Sequence, residues 1–273
     1  MKKFLSLLLV VTLVLSCAVL FTSCGEKASV ENKNDSSSNT DAAATEGSID
    51  IHGDGVLQMA TNAAFPPYEF KEGEEFAGID VEIAAAIAEK LGMEFEVVDM
   101  EFDSIIASVQ NGEVDFGMAG MTVNDERKKQ VNFTSSYATG VQVVIVAEGS
   151  DIATLDDLKG KKIGTQLGTT GDMYSKDDFG EENVVSYSKG ADAVIALKGG
   201  DVDAVIIDNE PAKVFVAENE GLKLLDTEYA IEDYAIAVSK ENTALLDAIN
   251  AALEELTADG TIDAIISKYI SAE

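Results

Sequence analysis

The sequence predicts an α/β protein in two lobes, each a sheet covered by helices, with two strands running between them as a hinge. Three observations carry that expectation. Apolar strand-like runs alternate with helical patterns, one helix–strand unit occurs twice, and two β-branched runs stand where the chain would cross between the halves.

In the first half, "VLQMAT" reads as a strand. The following "GIDVEIAAAIAEKLG" sets Val81, Ile83, Ala84, Ile87, Ala88 and Leu91 in one stripe at helical period. Next come "EFEVVDM" as a strand, "FDSIIASVQNG" as a helix and "VDFGMAG" as a strand. Gly92 and Gly112 stand just past helix ends, where a left-handed cap favours glycine.

The second half repeats the alternation. "KKIGTQLG" is a strand and turn, "TTGDMYSKDDFG" opens a helix, and "ENVVSYS" is a strand. "GADAVIALKGG" is a helix, "VDAVIID" a strand and "EPAKVFVAENEG" a helix. Residues 109–120, "VQNGEVDFGMAG", and 196–208, "ALKGGDVDAVIID", share one order: helix, glycine, acidic residue, Val-Asp, buried strand. One such unit per lobe explains this; chance similarity is the plain alternative. "GVQVVIVAEGS" and "YAIEDYAIAVSK" are the crossing runs, and "TALLDAINAALEELTADGTIDAIISKYI" forms two helices broken at Asp259-Gly260. The expected division is residues 55–144 and 235–273 for lobe one and 145–234 for lobe two.

The N-terminus reads as a targeting segment. Lys2 and Lys3 precede an apolar run that ends in small residues, the pattern of a secretory signal over residues 1–23. "FTSC" resembles a lipobox, which would make Cys24 the lipid-modified first residue. Cys17 is a rival, and an uncleaved membrane anchor is the other reading. Residues 24–54 are polar and without periodicity, a tether between the lipidated cysteine and the body. All these readings put the body outside the cytosol, at a Gram-positive surface or in a periplasm.

Composition excludes several chemistries. Cys17 and Cys24 are the two cysteines and His52 the one histidine, so the body lacks the usual zinc ligands and the bases of His-dependent triads. No metal or cofactor is expected. Fifty acidic residues against nineteen Lys and Arg give a net charge of −31, which repels phosphate backbones and argues against nucleic acid.

Ligands of open α/β sheets bind beyond the carboxyl ends of the strands. The residues found there are Asn62 and Phe65 after the first strand, Phe102 after the second, and Gly120, Thr122 and Arg127 after the third. The second lobe supplies Gln166, Thr169, Thr170 and Asp208. Arg127 offers a planar fork for a carboxylate, and Thr170 stands at a helix start, where backbone N–H groups favour an anion. Asp208, the Gly120 carbonyl and the Thr122 hydroxyl offer acceptors for an ammonium, and Phe65 and Phe102 flank an apolar stem. Together they outline a site for a free α-amino acid. Plainer readings stand beside these: a solvated basic turn at Arg127, a helix cap at Asp208, an ordinary N-cap in "GTTG" and a turn residue at Asn62.

"ATNAAFPPYEF", "GIDVEIAAAIAEKLG", "MEFDSIIASVQNGEVDFGMAGMTVNDERKKQVNFT" and "LGTTG…VDAVIID" resemble the polar amino-acid family of extracellular solute-binding proteins, over essentially residues 55–270. The resemblance implies a two-lobed, type II periplasmic-binding-protein-like fold. It implies capture of a free polar amino acid, neutral or cationic, and delivery to the transmembrane subunits of an ATP-binding-cassette permease. It also implies roles: Arg127 and Thr170 for the ligand carboxylate, Gly120, Thr122 and Asp208 for its ammonium, and Phe65 and Phe102 stacking on its side chain. Asn62 departs from the Asp common in binders of glutamine or cationic amino acids, and Gln166 is neutral where some members carry Lys. Two other functions fit the same scaffold: a dehydratase of cyclohexadienyl acids and a ligand-sensing receptor. The dehydratase needs a spare acid or base, and Glu69, the nearest extra carboxylate, is expected to pack or face solvent.

Overall fold

The computed structural model describes residues 48–271. In chain order these form β1 (Val56–Thr61), the hairpin β2 (Phe70–Glu72) and β3 (Glu75–Ala77), α1 (Ile79–Leu91), β4 (Glu94–Asp99), α2 (Ile105–Asn111), β5 (Phe116–Gly117), α3 (Asp125–Gln130) and β6 (Val131–Phe133). Then follow β7 (Ala138–Ala147), β8 (Ile163–Gln166), α4 (Thr170–Phe179), β9 (Val184–Tyr187), α5 (Gly190–Gly199), β10 (Ala204–Asp208), α6 (Asn209–Glu218), β11 (Leu222–Leu224) and β12 (Ala230–Tyr234). The chain ends with β13 (Ala237–Ser239), α7 (Thr243–Ala258) and α8 (Thr261–Tyr269).

The strands form two main sheets, one for each lobe. The first has the order β4-β1-β5-β13-β6, with β1 parallel to both β4 and β5 and with β13 antiparallel. The second has the order β9-β8-β10-β7-β11, with β12 also pairing on β7. There β8, β9 and β10 are parallel and β7 runs against β10, β11 and β12. The repeated helix–strand unit occurs once in each sheet, as α2–β5 and α5–β10, and both helices end at a left-handed glycine, Gly112 and Gly200.

Helical period becomes burial at α1. Ile79, Val81, Ile83, Ala84, Ile87 and Ala88 are buried in one cluster with Leu57 and Met59 of β1 and with Leu245, Ile249 and Leu253 of α7. In the second sheet Val144, Val146, Ile163, Ala204 and Ile206 form a separate core. Burying side chains of this size contributes roughly 1.5–3 kcal/mol each against exposure, so the sheets are firm platforms for whatever stands at their ends.

The structure differs from the sequence expectation in three places. The division at residue 144 falls inside β7, which pairs along its whole length in the second sheet. The crossing lies earlier. Thr134 N–H donates to the Ile236 carbonyl and Tyr137 N–H to the Tyr234 carbonyl, both at 3.0 Å, so the two passages run side by side. Second, the predicted strand "VDFGMAG" keeps only Phe116–Gly117 as β5, and the chain then turns toward the cleft. Third, the segment expected as tether up to residue 54 joins the body from Ser48 onward. Asn242 donates to the Ser48 carbonyl at 2.9 Å, and the Asp50 carboxylate accepts from the N–H groups of Gly53 and Gly55.

The signal segment and Cys24 lie outside the described residues. Among the described residues no helix is long and apolar enough to cross a membrane.

Candidate functional site

All ten residues expected at the strand ends line one small cavity, in the company of Glu69 and Ala119. Asn62, Phe65, Phe102, Gly120, Thr122 and Arg127 reach it from the first sheet, and Gln166, Thr169, Thr170 and Asp208 from the second.

The arginine is held from both sides. Asn124 caps α3 by accepting from the Arg127 N–H at 2.8 Å, which fixes where the side chain leaves the helix. Its guanidinium donates to the Thr122 carbonyl at 2.7 Å and, across the cleft, to the Gly168 carbonyl at 3.1 Å. The Phe102 ring lies 5.4 Å from the guanidinium carbon, a cation–π distance. Burial lowers the Arg127 pKa from its usual range, while Glu232 and Asp208 oppose that shift. A guanidinium so buried still carries its charge and remains a strong partner for an anion.

Gly120 is required by its surroundings. It has φ 52°, and a Cβ there would stand 2.8 Å from the Phe65 ring. Its N–H donates to Asp80 Oδ2 at 2.8 Å. Phe65 in turn stacks on Tyr68 with ring centroids 5.8 Å apart, in a loop that contains a cis peptide bond between Pro66 and Pro67.

Asp208 ends β10 and stands at the N-cap position of α6, yet its side chain makes no capping bond. It accepts instead from the Tyr234 hydroxyl. Burial raises its pKa to about 7, with the Tyr234 bond pulling the other way and the Glu232 charge adding to the rise. The carboxyl is therefore poised for a cation, which would restore its charge.

Like Arg127 and Asp208, Asn62 and Thr169 are engaged with other protein groups. Asn62 donates to the Met100 carbonyl at 2.8 Å and accepts from Gln166 at 2.9 Å, a bond between the two sheets' elements. Thr169 caps α4, accepting from the Asp172 N–H at 3.2 Å and donating to the Gln166 carbonyl at 2.8 Å. The plain N-cap reading of "GTTG" thus describes Thr169.

Two further carboxyls stand at or beside the site. Glu69, expected to pack or face solvent, packs: it is 0 % exposed, and it lines the cavity. Glu232 of β12 accepts from the Thr170 hydroxyl at 2.8 Å, the Thr122 hydroxyl at 3.2 Å and Gln142 at 2.9 Å. Each hydroxyl has one proton, so with both turned to Glu232, Thr122 and Thr170 present lone pairs to anything else nearby. Glu232 was not foreseen from the sequence; the one available signal was its alternation with Tyr234 in the crossing strand.

Comparison with known proteins agrees with this geometry. The family model for bacterial extracellular solute-binding proteins, family 3, matches residues 57–272. The chain belongs to that family. The arginine-binding extracellular protein ArtP of Bacillus subtilis (strain 168) is 35% identical over 222 residues, covering 80% of this chain and 87% of its own. The ABC transporter glutamine-binding protein GlnH of the same organism is 32% identical over 277 residues, covering 100% of this chain and 99% of its own. Among solved structures, an ancestral arginine-binding protein bound to arginine superposes with a TM-score of 0.75 at 43% identity, covering 80% of this chain and 99% of that one. The solute-binding protein described here thus has the two-lobed α/β fold of amino-acid-binding proteins, with its cavity between residues of the two sheets.

Proposed function

We propose that this solute-binding protein captures a free polar amino acid, neutral or cationic, between its lobes and hands it to the transmembrane subunits of an ABC importer. The observation that supports it best is the composition of one small cavity. It is lined by a buried guanidinium, two buried carboxyls and two aromatic rings.

In this reading Arg127 and the Thr170 N–H at the start of α4 take the ligand carboxylate. Asp208, the Gly120 carbonyl and the Thr122 hydroxyl oxygen take the ammonium, and the protons turned toward Glu232 leave the threonine oxygens as acceptors. Phe65 and Phe102 hold the apolar stem. Asn62 and Gln166 bond each other across the cleft and so read closure as well as the ligand's tip. The carboxyls outnumber Arg127, which favours a ligand whose side chain adds positive charge or none.

Closure follows from the split of contacts. A ligand touching residues of both lobes binds the closed form more tightly and shifts the population toward it. The lobes would be residues 55 to about 134 with the segment from 236 onward, and residues 138–234, divided where the two crossing passages pair. The relatives are named as binding proteins, and the cavity's acids and base face a ligand whose own charges would satisfy them. Upstream, Cys24 would carry a lipid that keeps the body at the membrane while the signal of residues 1–23 is removed.

The test is a thermal-shift screen of the full-length chain against the common amino acids and cystine. The expected result is a shift with a small set of related neutral or cationic amino acids. No shift with any of them, in protein first stripped of carried-over ligand, overturns the proposal.

A further inference from the structure

Gly168 stands in the turn between β8 and α4 and is not among the residues that line the ligand cavity. Its backbone takes φ 79°. A Cβ built on it would stand 2.9 Å from Asp103 Cβ, 3.3 Å from Asp103 Cα and 3.9 Å from Asp103 N, the three nearest heavy atoms beyond its chain neighbours. All three belong to the other lobe, because Asp103 lies in the turn from β4 into α2. The two lobes approach so closely there that no side chain fits between them.

Lobe one also holds the same residue by a hydrogen bond. Arg127 Nη2 donates to the Gly168 carbonyl at 3.1 Å. The Phe102 ring, next in the chain to Asp103, lies 5.4 Å from that guanidinium. One group of lobe-one residues therefore bears on a single residue of lobe two. The turn that carries Gly168 is firmly tied. Leu167 N–H donates to the Tyr187 carbonyl at 2.8 Å, Thr169 N–H to the Gln166 carbonyl at 3.3 Å, and Gly168 N–H to Asp172 Oδ2 at 3.4 Å. On the facing side Ser104 N–H donates to the Glu101 carbonyl at 3.0 Å. A side chain at 168 would thus push the lobes apart before it displaced either turn.

We propose that Gly168 is the seat on which the lobes close: with no side chain there, Asp103 and Arg127 of lobe one rest on the backbone of lobe two, and this contact sets how long the closed form retains its ligand. Gly168 is a positioning residue and touches no ligand itself. The proposal rests on the two-lobed capture described above.

The experiment follows release of tritiated L-arginine and L-glutamine from the full-length chain after dilution, with small-angle X-ray scattering of the ligand-saturated and ligand-free chain. Gly168→Ala should speed release by roughly tenfold, within the range that overpacking a tight contact costs. It should also enlarge the radius of gyration of the ligand-saturated chain. Association should change less, since ligand enters the open form. Alanine at a positive φ strains its own turn as well, so the decisive comparison is made in Asp103→Gly. Removing the Asp103 Cβ leaves Asp103 Cα at 3.3 Å, which a few tenths of an ångström of movement clears. In that background Gly168→Ala should cost less than about threefold, because the two substitutions share one contact. Unchanged release and scattering in Gly168→Ala would overturn the inference. An equal loss in both backgrounds would overturn it too, by assigning the effect to strain within the turn. Should Gly168→Ala fail to fold, Asp103→Val carries the test by adding a branch to the Cβ that faces Gly168; wild-type release from that variant overturns the inference. Should the wild type retain neither amino acid, ligand-free scattering decides: a larger radius in Gly168→Ala supports the seat and identical curves overturn it, while the full amino-acid screen judges the ligand reading separately.

Discussion

The Tyr234 hydroxyl donates its hydrogen bond to the Asp208 carboxylate, linking the second crossing passage to the carboxyl that ends β10. The bond opposes a strong desolvation penalty, for Asp208 is buried and its pKa stands at about 7. Tyr234→Phe removes the hydroxyl and keeps the ring. We predict that it pushes the Asp208 pKa higher still and weakens ligand binding at pH 7 by roughly tenfold, the size of a hydrogen bond to a charged group. Titration calorimetry at pH 7 and at pH 8.5 checks this, since the loss should shrink at the higher pH. An equal loss at both values contradicts it.

Gln166 reaches across the cleft to Asn62, a contact between the two lobes' elements that needs no ligand. Gln166→Ala should remove about 0.5–1.5 kcal/mol from the closed form, as expected for a neutral hydrogen bond. The readouts are a larger radius of gyration for the ligand-free chain by small-angle X-ray scattering and a several-fold weaker affinity. Unchanged scattering together with unchanged affinity would rule out a role in closure.

Gly120 faces the Phe65 ring with its backbone at φ 52°. Gly120→Ala should destabilise the protein by roughly 1–3 kcal/mol, through left-handed strain and the collision with the ring. Thermal unfolding without ligand measures it, and an unchanged midpoint would mean that the loop yields without cost.

The ligand-free protein should lose stability as pH rises from about 4 toward 7. Burial raises both Asp80 and Asp208 from 3.8 to about 7, so over that window the folded state binds more protons than the unfolded chain. Stability then falls with pH by up to about 1.4 kcal/mol per unit for each group while it titrates. Asp172 behaves oppositely. Burial works against its ionisation, but Lys176, Ser186 and Thr165 outweigh burial and lower its pKa, so the stability it contributes is lost only below pH 3.8. Unfolding midpoints at pH 5 and 7.5, with and without ligand, separate these effects. The ligand-free midpoint should be higher at pH 5, and the ligand-induced shift larger at pH 7.5.

The strand ends were legible because each apolar run stops at a polar or glycine residue, and the ten residues expected there line one cavity. The helices were legible from period, as in α1 and in the break at Gly260, which takes the left-handed conformation. What stayed hidden was partnership. Asp80 in the first turn of α1 looks like any acidic residue at a helix start, though it accepts from the Gly120 N–H and the Tyr137 hydroxyl, and nothing in "PPYEF" says that Glu69 turns into the cavity. The β-branched run of β7 announces a strand but not its sheet, which depends on β10, β11 and β12 lying beside it. Glu232 shares its strand with the exposed Ile231: the strand alternates, but its carboxylate faces in and its isoleucine faces out, the reverse of what residue type alone suggests.

In the proposed function, one cavity receives both charged poles of a free amino acid. The most direct test is thermal unfolding of the full-length chain with and without L-arginine and L-glutamine, beside Arg127→Ala and Asp208→Asn. Ligand at ~100 times its dissociation constant adds about 2.7 kcal/mol and raises the midpoint visibly. The expected result is a shift in the wild type with at least one of the two ligands, and its loss in both variants. Asp208→Asn itself should be no less stable than the wild type without ligand at pH 7.5, because it removes a buried charge. A shift that survives in both variants would contradict the assignment of the two poles.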